Sequence, residues 1–590
     1  MKRTHFETIV HDVDVCVVGG GLAGLCAAVS AARNGAKTAL VQDRPTLGGN
    51  ASSEIRMWVC GARGENNRET GIIEELMLEN LYRNPYKNYS IWDSVMLGIA
   101  WKEPLLELYL NCSCCDGVME GNRIADILAW QTTTQKYHQF SARIFIDCSG
   151  DSVLAPITGA HFRIGREGAG EYGESIAPPV ADLKTMGMSC LLQAKECEER
   201  REFVAPDFAI KLKEENFTHR APHLYDEMEN FWYLELGGTQ DVIADAESVR
   251  DELVRLAYGT WDYLKNSPEN REANANFDLE WVGMLPGKRE SRRYIGDYVM
   301  TQQDIESGGH FDDMVAFGGW TMDDHDPEGF YGNSTPNVHH SAPSPYGIPY
   351  RCLYSKNIEN LMFAGRNISV THAALSSTRV MATCGVLGQA VGTAAALAVS
   401  ESLTPRDVGK RMPALQQRLM MQDVWLPFIQ KQVGSLTRKA RLVSNMRDAD
   451  NLFNGVERET ANSRNYAVGS RGCTVRYILP EPSEIQGIRL VFDSDLNRRT
   501  LPERERRMNR NMFHNIPLDI ERYYPPRTLI RDFTVTFVLE NGEREEHPVH
   551  GYHQRLFLWK KSCTIKEVAV TLEESWGSEE YRLFSFELLD

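Results

Sequence analysis

Residues 13–42 have the sequence VDVCVVGGGLAGLCAAVSAARNGAKTALVQ and carry the strongest structural signal in the chain. The apolar run Val13–Val18 predicts a buried strand, and Gly19–Gly24 is a G-x-G-x-x-G turn. Apolar residues at helical spacing then predict a helix that stops at Gly35, and Lys37–Gln42 predicts a second strand. A strand, a glycine turn, a helix and a second strand within about 30 residues are the context that a dinucleotide site requires.

Each residue of the turn has a physical task in such a site. Gly19 makes the tight turn, Gly21 lets the backbone approach the pyrophosphate, and Gly24 lets the helix pack close to the strand. Leu22 and Ala23 begin the helix, where unpaired N–H groups and the positive end of the helix dipole face the phosphates. We therefore predict dinucleotide binding at these five residues.

The end of the second strand departs from the usual pattern. An acidic residue normally binds the ribose hydroxyls there, but this chain has Gln42 followed by Asp43. A Gln carbonyl can accept those hydrogen bonds, or Asp43 can reach them; alternatively, Asp43 only solvates a loop. Arg44 and the pair Gly48-Gly49, followed by Asn50, come next, and a second glycine pair at this point is typical of flavoproteins. We count these residues among the predicted cofactor contacts.

The longer string VVGGGLAGLCAA…ALVQDRPTLGGNASSEIRMWVCGA resembles the large family of FAD-dependent oxidoreductases that includes the flavin core of heterodisulfide reductase. Ile144–Asp151 (IFIDCSGD) resembles the strand and turn that return to the flavin, and Leu361–Ser369 (LMFAGRNIS) resembles the final FAD segment. The iron–sulfur cysteine runs of that reductase are missing from the sequence. The resemblance implies FAD as the cofactor. The further cofactor contacts that it implies are Gly150, Asp151, Gly365, Arg366 and Gly388.

Gly388 begins the segment Gly388–Gly392, which we predict to open the last apolar helix. In the family, the start of such a helix faces the flavin pyrimidine, where its dipole favours electron density on the reduced ring. Val15–Ala32 and Val380–Val399 are long and apolar enough to imitate membrane helices, but we predict that both are buried elements packed around the cofactor.

Two segments between the FAD motifs supply candidate catalytic residues, and the first is Trp281–Ile305. It resembles the family segment that carries an Arg near the flavin. Cations there stabilise a reduced anionic ring or bind a substrate carboxylate; alternatively, they form a solvated strand end paired with Glu290 and Asp297. We predict a functional role for Arg289 and structural roles for Arg292 and Arg293.

The second segment is Trp320–Arg351, which is rich in His, Asp and Pro. We predict a long structureless loop that forms the wall or lid of the substrate pocket, with His325 and His340 as catalytic candidates. Asp324, His325 and His339 could form a metal site, but their spacing is loose, so we predict no metal. Histidines that only make hydrogen bonds within a polar loop are the alternative.

His372 is the strongest single catalytic candidate, because it follows the FAD segment where the chain must pass the isoalloxazine ring. A neutral imidazole there can take a hydroxyl proton while hydride leaves carbon for flavin N5. The alternative is that His372 orients the flavin through its O2 or ribityl hydroxyls. Arg366 and Arg379 would bind cofactor phosphate or a neighbouring carboxylate.

The last part of the chain changes to an alternation of apolar and polar residues, for example in FTVTFVLE, residues 533–540. This pattern predicts a β-sandwich. NLFNGV, IQGIRLVFDSDLN, TIKEVAVTLEESWG and YRLFSFEL resemble the discoidin, or galactose-binding-like, jelly roll, whose members bind carbohydrate or are purely structural. The insertion 497–511 carries six arginines and two glutamates. We predict that it docks on the acidic body formed by the first 430 residues.

These patterns together predict an α/β fold: a Rossmann-like FAD-binding domain with an inserted α+β substrate domain, followed by an antiparallel β-sandwich of jelly-roll type. The predicted boundaries are 1–180 and 351–403 for the FAD-binding domain, 181–350 for the substrate or cap domain, 404–436 for a helical connector and 437–590 for the sandwich.

Composition narrows the partners. The net charge of −17 makes nucleic acid a poor partner, and we predict no membrane association. Thirteen cysteines without a disulfide-rich pattern fit a reducing compartment, so we predict a cytoplasmic protein. The group Cys112, Cys114 and Cys115 has neither zinc nor ferredoxin spacing and is predicted to lie on a strand and its turn. The sequence does not indicate the oligomeric state, and a homo-oligomer is one of the alternatives.

The predicted function is an FAD-dependent oxidoreductase that transfers hydride between flavin N5 and a small polar substrate. A CH–OH group of a sugar or polyol suits the His-rich segment and the sandwich, whereas a carboxylate substrate would suit the arginine segment. The electron acceptor is not identified. The alternatives are a non-redox, flavin-assisted carbohydrate lyase and a carbohydrate-binding protein with a relic flavin domain.

Overall fold

The computed structural model describes residues 6–503, 512 and 514–590. Contacts within the chain divide it into two compact units. The larger unit contains the described residues of 1–63, 86–415 and 509–521, and the smaller unit contains those of 64–85, 416–508 and 522–590. Residues 64–85 thus group with the end of the chain, although our sequence-based boundaries place them in the FAD-binding domain.

The strands, numbered in chain order, are β1 (Thr8–Val18), β2 (Thr38–Val41), β3 (Leu106–Tyr109), β4 (Cys112–Glu120), β5 (Arg123–Gln131), β6 (Lys136–Asp147), β7 (Phe162–Arg163), β8 (Met188–Ser189), β9 (Leu192–Glu196), β10 (Glu235–Leu236), β11 (Phe277–Val282), β12 (Gly287–Lys288), β13 (Arg293–Tyr294), β14 (Met314–Gly318), β15 (Met322–His325), β16 (Asn337–His340), β17 (Tyr346–Pro349), β18 (Leu361–Phe363), β19 (Arg441–Ser444), β20 (Ala467–Gly469), β21 (Cys473–Phe492), β22 (Ile530–Leu539), β23 (Arg544–Val549), β24 (Leu556–Ser575) and β25 (Tyr581–Leu589). The α-helices are α1 (Leu22–Arg33), α2 (Ile72–Arg83), α3 (Tyr89–Trp101), α4 (Leu154–Thr158), α5 (Ala169–Tyr172), α6 (Ala246–Asn266), α7 (Gln302–Glu306), α8 (His372–Thr378), α9 (Met381–Glu401), α10 (Pro405–Val408), α11 (Met412–Met421) and α12 (Ser435–Lys439).

The larger unit is built on a Rossmann-like sheet in the order β3-β2-β1-β6-β5-β4, with β18 also paired to β6. Strands β3, β2, β1, β6 and β18 run parallel, whereas β4 and β5 pair antiparallel. The predicted strand, glycine turn, helix and second strand are all present, and β1 begins at Thr8 rather than Val13. In open parallel sheets a ligand binds beyond the carboxyl ends of the strands, where the glycine turn lies.

Helix α9 packs unusually close to α1. A Cβ atom added to Gly388 would lie 2.0 Å from the Ala23 carbonyl oxygen, and one added to Gly392 would lie 2.2 Å from the Ala27 carbonyl oxygen. By length and composition α9 could cross a membrane, but 94% of its apolar window is buried inside the structure. It therefore has the character of a core helix, as the glycine spacing also requires.

The middle of the larger unit has its own hydrophobic cluster around α6. Trp261, Leu253 and Leu256 of this helix pack with Phe231 and Leu192 from the neighbouring chain segments. The segment Trp320–Arg351 is not the structureless loop that we predicted. Its residues form β15 and β16, which pair antiparallel, and β17, which pairs with β14. The prediction failed because prolines and polar residues masked these four-residue strands.

The smaller unit contains an antiparallel sheet in the order β20-β25-β21-β24-β22-β23, with β19 beside β21. The predicted alternation holds, because Phe533, Val535 and Phe537 are all fully buried. The described start of the arginine-rich insertion contacts α2 within this unit: Arg498 Nη2 donates to Glu74 Oε2 at 2.7 Å. The rest of that insertion, residues 504–511, lies outside the described residues.

Candidate active site

The predicted cofactor motifs meet at one edge of the Rossmann-like sheet. Gly19 has a φ of +98°, and an added Cβ would lie 2.5 Å from the Ser149 backbone, so this turn and the turn after β6 are in close contact. An added Cβ on Gly24 would lie 1.8 Å from the Gly19 carbonyl oxygen. The Gly48 N–H donates to the Gly20 carbonyl at 2.8 Å. These contacts require glycine and draw three separated segments together.

Gln42 braces the glycine turn from inside the protein. The Gly20 N–H donates to Gln42 Oε1 at 2.6 Å, and Gln42 Nε2 donates to the Thr46 carbonyl at 3.1 Å. Gln42 is only 2% exposed, so its amide is already occupied by the backbone. The carbonyl oxygen of Gln42 has a second lone pair, so its contact with a ribose stays a prediction. Asp43, the other predicted ribose contact, has a side chain that is 60% exposed.

Two features beside the turn fit a bound dinucleotide. The space in front of Gly21 is open, since an added Cβ would meet only the Gly49 Cα, at 3.9 Å. Within the part of the chain that the structure describes, the buried Nη1 of Arg44 has no hydrogen-bond partner. Its Nη2 lies 3.9 Å from the Cβ position of Gly49. Nη1 lies 3.8 Å from Glu54 Oε2, beyond hydrogen-bond distance, so it keeps a donor that a pyrophosphate beside the open glycine turn could use.

The turn after β6 is organised by buried carboxylates. The Tyr294 hydroxyl donates to Asp147 Oδ2 at 2.6 Å, and the Ser149 N–H donates to Asp147 Oδ1 at 2.9 Å. Burial raises the pKa of Asp147 against the effect of these bonds. Asn367 Nδ2 donates to the Asp147 carbonyl at 3.3 Å and so joins this turn to the segment after β18. Asp147 was within our quoted motif but not among the predicted contacts.

Asp151 collects two cations at the same turn. Arg366 Nη2 donates to its Oδ1 at 2.7 Å, and Lys288 Nζ donates to its Oδ2 at 2.8 Å. Burial alone would raise the pKa of Asp151, but Arg366 and Lys288 outweigh it and lower the pKa to about 2. Gly150 has a φ of +77°, and an added Cβ would lie 2.3 Å from Arg366 Nη1, so a side chain here would be strained and would displace the guanidinium. The structure therefore gives Arg366 a carboxylate partner, one of its two predicted alternatives.

The remaining predicted cofactor residues are adjacent to these. Gly365 has a φ of +115°, and its Cβ position lies 3.6 Å from the Ala23 Cβ. Asn50 Nδ2 donates to the Lys288 carbonyl at 2.9 Å. The expectation for Gly388 is wrong in one respect: α9 begins at Met381, so Gly388 lies well inside the helix and spaces it from α1. The apolar run hid this boundary, because its first residues have no turn-forming signal.

His372 is the first residue of α8 and lies between two carboxylates. Its Nδ1 is 2.9 Å from Glu290 Oε2, and its Nε2 is 3.0 Å from Asp324 Oδ1. Burial opposes the charged ring, but Glu290 and Asp324 outweigh burial and raise the pKa of His372 to about 10. The neutral imidazole that we expected is therefore wrong. The contacts of His372 with Glu290 and Asp324 could not be predicted from the sequence, because both acids belong to segments far away along the chain.

A second cluster surrounds His325. Its Nδ1 is 2.7 Å from Glu235 Oε2, and its Nε2 is 3.4 Å from Asp323 Oδ2. Arg289, also predicted as catalytic, is buried beside the same Glu235 at 3.4 Å and donates to the Ser189 hydroxyl at 3.0 Å. Burial lowers the pKa of Arg289, which Glu235 partly offsets. Arg379 donates to Asp323 Oδ2 at 3.3 Å, which again selects a carboxylate among our alternatives.

His340 and the metal alternative complete the predicted set. His340 lies on β16 opposite Met322 and is partly exposed, whereas its neighbour His339 is opposite Asp323. Among the residues that the structure describes, no group of three or more His, Cys, Asp or Glu side chains is arranged to hold a metal ion. His325 instead uses both ring nitrogens on carboxylates. The sequence did not predict that Glu290 and Asp324 contact the ring of His372.

The comparisons with known proteins address the family. A family model described as FAD dependent oxidoreductase matches residues 14–419. No curated protein matches the chain. Among solved structures, a geranylgeranyl bacteriochlorophyll reductase-like protein from Thermoplasma acidophilum is 11% identical, covers 70% of this chain and 85% of its own, and has a TM-score of 0.32.

Two further solved structures match shorter parts of the chain. Thermovibrio ammonificans THI4 is 18% identical over 29% of this chain and 76% of its own, with a TM-score of 0.20. The family 32 carbohydrate-binding module of Streptococcus pneumoniae EndoD is 10% identical over 26% of this chain and 98% of its own, with a TM-score of 0.20. Similarity at this level identifies no substrate, so the family assignment rests on the family model.

Proposed function

This chain belongs to the FAD dependent oxidoreductase family, and we propose that it uses its flavin to oxidise a CH–OH group of a small polar molecule, a sugar or polyol. The observation that carries the choice of reaction is the cluster at His372 in the same unit as the cofactor turns. Oxidation of an alcohol needs a hydride acceptor and a group that handles the hydroxyl proton. A bound flavin supplies the first, and the acid–histidine cluster is suited to the second.

The residues proposed to hold FAD follow from the contacts at the sheet edge. Gly19–Gly24 and the start of α1 would face the pyrophosphate, and Arg44 would offer it an unused guanidinium donor. Asp43 would accept hydrogen bonds from the ribose. Bound FAD would supply a two-electron hydride acceptor. The pairing of Asp151 with Arg366 would keep the second turn rigid beside it.

The clusters around His372 and His325 are proposed to receive the substrate. Both contain carboxylates paired with cations, so their net charge is small, and such groups can donate and accept hydrogen bonds with a neutral polyhydroxy compound. A carboxylate substrate would meet the partly exposed carboxylate of Asp324 at close range. For this reason we favour a neutral polyol or sugar over an organic acid.

The test is anaerobic reduction of the purified, FAD-loaded protein by a panel of sugars, polyols and organic acids. We expect the flavin absorbance to bleach with at least one sugar or polyol and with no simple carboxylate. Bleaching by organic acids alone would overturn the substrate class. Conversion of a saccharide without net electron transfer would favour the lyase alternative, and a protein that does not bind FAD would remove the proposal.

We also propose a cytoplasmic setting for the protein and a role for its smaller unit. All thirteen cysteines are free thiols, which supports a reducing, cytoplasmic setting. We propose a jelly-roll sandwich for the smaller unit and a capacity to bind carbohydrate. Isothermal titration with galactose-type and glucose-type sugars tests that capacity, and absence of heat with all of them would leave the unit structural.

A further inference from the structure

We propose that Asp324, and not His372, takes the hydroxyl proton of the substrate, and that His372 is a positioning residue held as an imidazolium between Asp324 and Glu290. This inference rests on the proposed alcohol oxidation. It concerns residues of this chain alone, and the protonation of His372 can be measured without any turnover.

The hydrogen bonds of the His372 ring bear on its protonation state. Both nitrogens of His372 face carboxyl groups, Glu290 on Nδ1 and Asp324 on Nε2. The pKa of each acid is lowered, against the effect of burial, by the neighbouring His372. An ionised carboxylate is only an acceptor, so with both acids ionised each nitrogen must carry a proton to make its bond. A neutral imidazole has one N–H and would then leave one contact as acceptor against acceptor.

The two carboxylates differ in their burial and in their other contacts. Glu290 is fully buried and also accepts from the Met186 N–H at 2.9 Å and from Arg293 Nη1. Burial would raise the pKa of Glu290, but His372 and Arg293 lower it. It cannot meet a substrate. Asp324 lies on the outer side of the ring, and its side chain is 23% exposed.

The two carboxylate oxygens of Asp324 differ in their contacts. Its Oδ1 is engaged by His372, whereas in the described part of the chain Oδ2 has no hydrogen-bond partner. Burial would raise the pKa of Asp324, but the hydrogen bond to His372 and its charge lower it, so the group is an anion at neutral pH. A carboxylate oxygen that is accessible and unpaired can accept a hydroxyl hydrogen, whereas the imidazolium has no lone pair to do so.

Other charged groups surround His372 and Asp324. Glu167 Oε2 accepts from the backbone N–H of His372 at 2.8 Å, and Glu174 Oε1 accepts from the Thr371 hydroxyl at 2.6 Å. These bonds hold the start of α8 in place, because Thr371 is the N-cap and His372 the first residue of that helix. Among the described residues, Arg166 and Arg293 are cations that face the cluster, and His325 lies close enough to affect Asp324.

In the proposed oxidation the hydrogen on carbon would leave as hydride, with both electrons of the C–H bond, and a bound oxidised flavin would accept it. The O–H bond would break with its proton going to Asp324 Oδ2. A C=O double bond forms in the substrate, which is oxidised by two electrons while the flavin is reduced by two. His372 keeps both protons throughout and holds Asp324 in place.

The first measurement is the imidazole ¹⁵N spectrum of histidine-labelled protein with FAD bound. The His372 signals are identified by their loss in His372→Gln. We expect an imidazolium signal from pH 6 through pH 9, because the two acids raise the pKa of the ring to about 10. In Glu290→Gln the signal should become neutral at lower pH. A neutral ring in the wild-type protein at pH 7 would overturn the inference, whatever the substrate is.

The second measurement is the pH dependence of anaerobic flavin reduction by a compound that bleaches the protein. With Asp324 as the acceptor, the rate should be flat between pH 6 and pH 9. With His372 as the base, it should rise about tenfold per pH unit toward the pKa of the ring. Asp324→Asn should slow reduction by about 100-fold or more at unchanged FAD affinity. Glu328→Gln, on the exposed turn of the same hairpin, is the control and should reduce normally.

His372→Gln separates positioning from a merely structural role. Without the cation beside it, Asp324 should titrate at higher pH, so the acidic limb of the rate profile should move upward. An unmoved limb, or normal reduction in Asp324→Asn, would contradict the assignment. If no compound reduces the flavin, the proposed alcohol oxidation fails, and the role of Asp324 fails with it, while the ¹⁵N spectrum still decides the state of His372.

Discussion

Replacement of Gly388 by Ala tests how the last long helix positions the cofactor turn. The added Cβ would lie 2.0 Å from the Ala23 carbonyl oxygen, whereas real Cβ atoms essentially never approach closer than 3.0 Å. The helices α1 and α9 must therefore separate locally by about 1 Å. The obstacle is backbone within the first turn of α1, so no side-chain rotation relieves it.

The expected cost follows from two opposing terms. Overpacking a close contact costs about 1–3 kcal/mol, and Gly to Ala inside a helix returns about 1 kcal/mol through helix propensity. We expect the free energy of unfolding of the larger unit to fall by about 0–2 kcal/mol, the difference of these two terms. Ala23 belongs to the turn proposed to face the pyrophosphate, so its displacement should also weaken FAD binding by about tenfold, the loss of one charge-assisted hydrogen bond.

The assay combines thermal denaturation with FAD titration of the apoprotein by quenching of flavin fluorescence. Gly98→Ala is the matched control, because Gly98 also lies in a helix, α3, but has no atom within 4 Å of its Cβ position. It should raise stability slightly and leave FAD affinity unchanged. Equal behaviour of Gly388→Ala and Gly98→Ala would refute the argument that the α1–α9 contact sets the geometry of the turn.

Three further predictions concern individual contacts. Gln42→Ala removes the brace on the Gly20 N–H and should cost about 1–3 kcal/mol in unfolding free energy, whereas Asp43→Asn should change FAD affinity without a loss of stability; denaturation and FAD titration distinguish the two. Arg366→Gln removes a cation from Asp151, whose pKa should rise from about 2; infrared titration of that carboxyl would contradict us if the pKa stayed in place. The pKa of His372 is raised from 6.5 to about 10, so its stabilising contribution is fully present below pH 6.5 and is lost as pH rises toward 10; the stability difference between wild type and His372→Gln should shrink over that window, and a constant difference would count against the imidazolium.

The cofactor and the fold around its proposed site could be predicted from the sequence because their signals are local. Gly19, Gly21 and Gly24 lie within six residues, and the backbone geometry that they permit has few uses besides a tight turn against a strand. The family resemblance then supplied the later segments in order. The prediction of where α9 begins was wrong, because the apolar run around Gly388 has no cap or turn residue that marks the start at Met381.

The catalytic half could be predicted only as a set of residue types. The carboxylates that stabilise the protonated His372 are separated from it by 82 and 48 positions. Asp324 lies on the four-residue strand β15 and Glu290 lies between the two-residue strands β12 and β13, so neither has a clear sequence pattern around it. The sequence placed His372, Asp324 and Glu290 in separate segments, and nothing in it indicated that one ring would contact both carboxylates. The protonation state, and with it the identity of the proton acceptor, depends on that contact.

The most direct test of the account is anaerobic mixing of the FAD-loaded protein with a sugar or polyol, compared with the same compound deuterated at the reacting carbon. We predict that the flavin band bleaches and that deuteration slows the bleaching several-fold, because the C–H bond breaks in the step that reduces the flavin. A flavin that stays oxidised with every sugar and polyol, or that bleaches at the same rate with the deuterated compound when reduction itself limits the rate, would contradict the account.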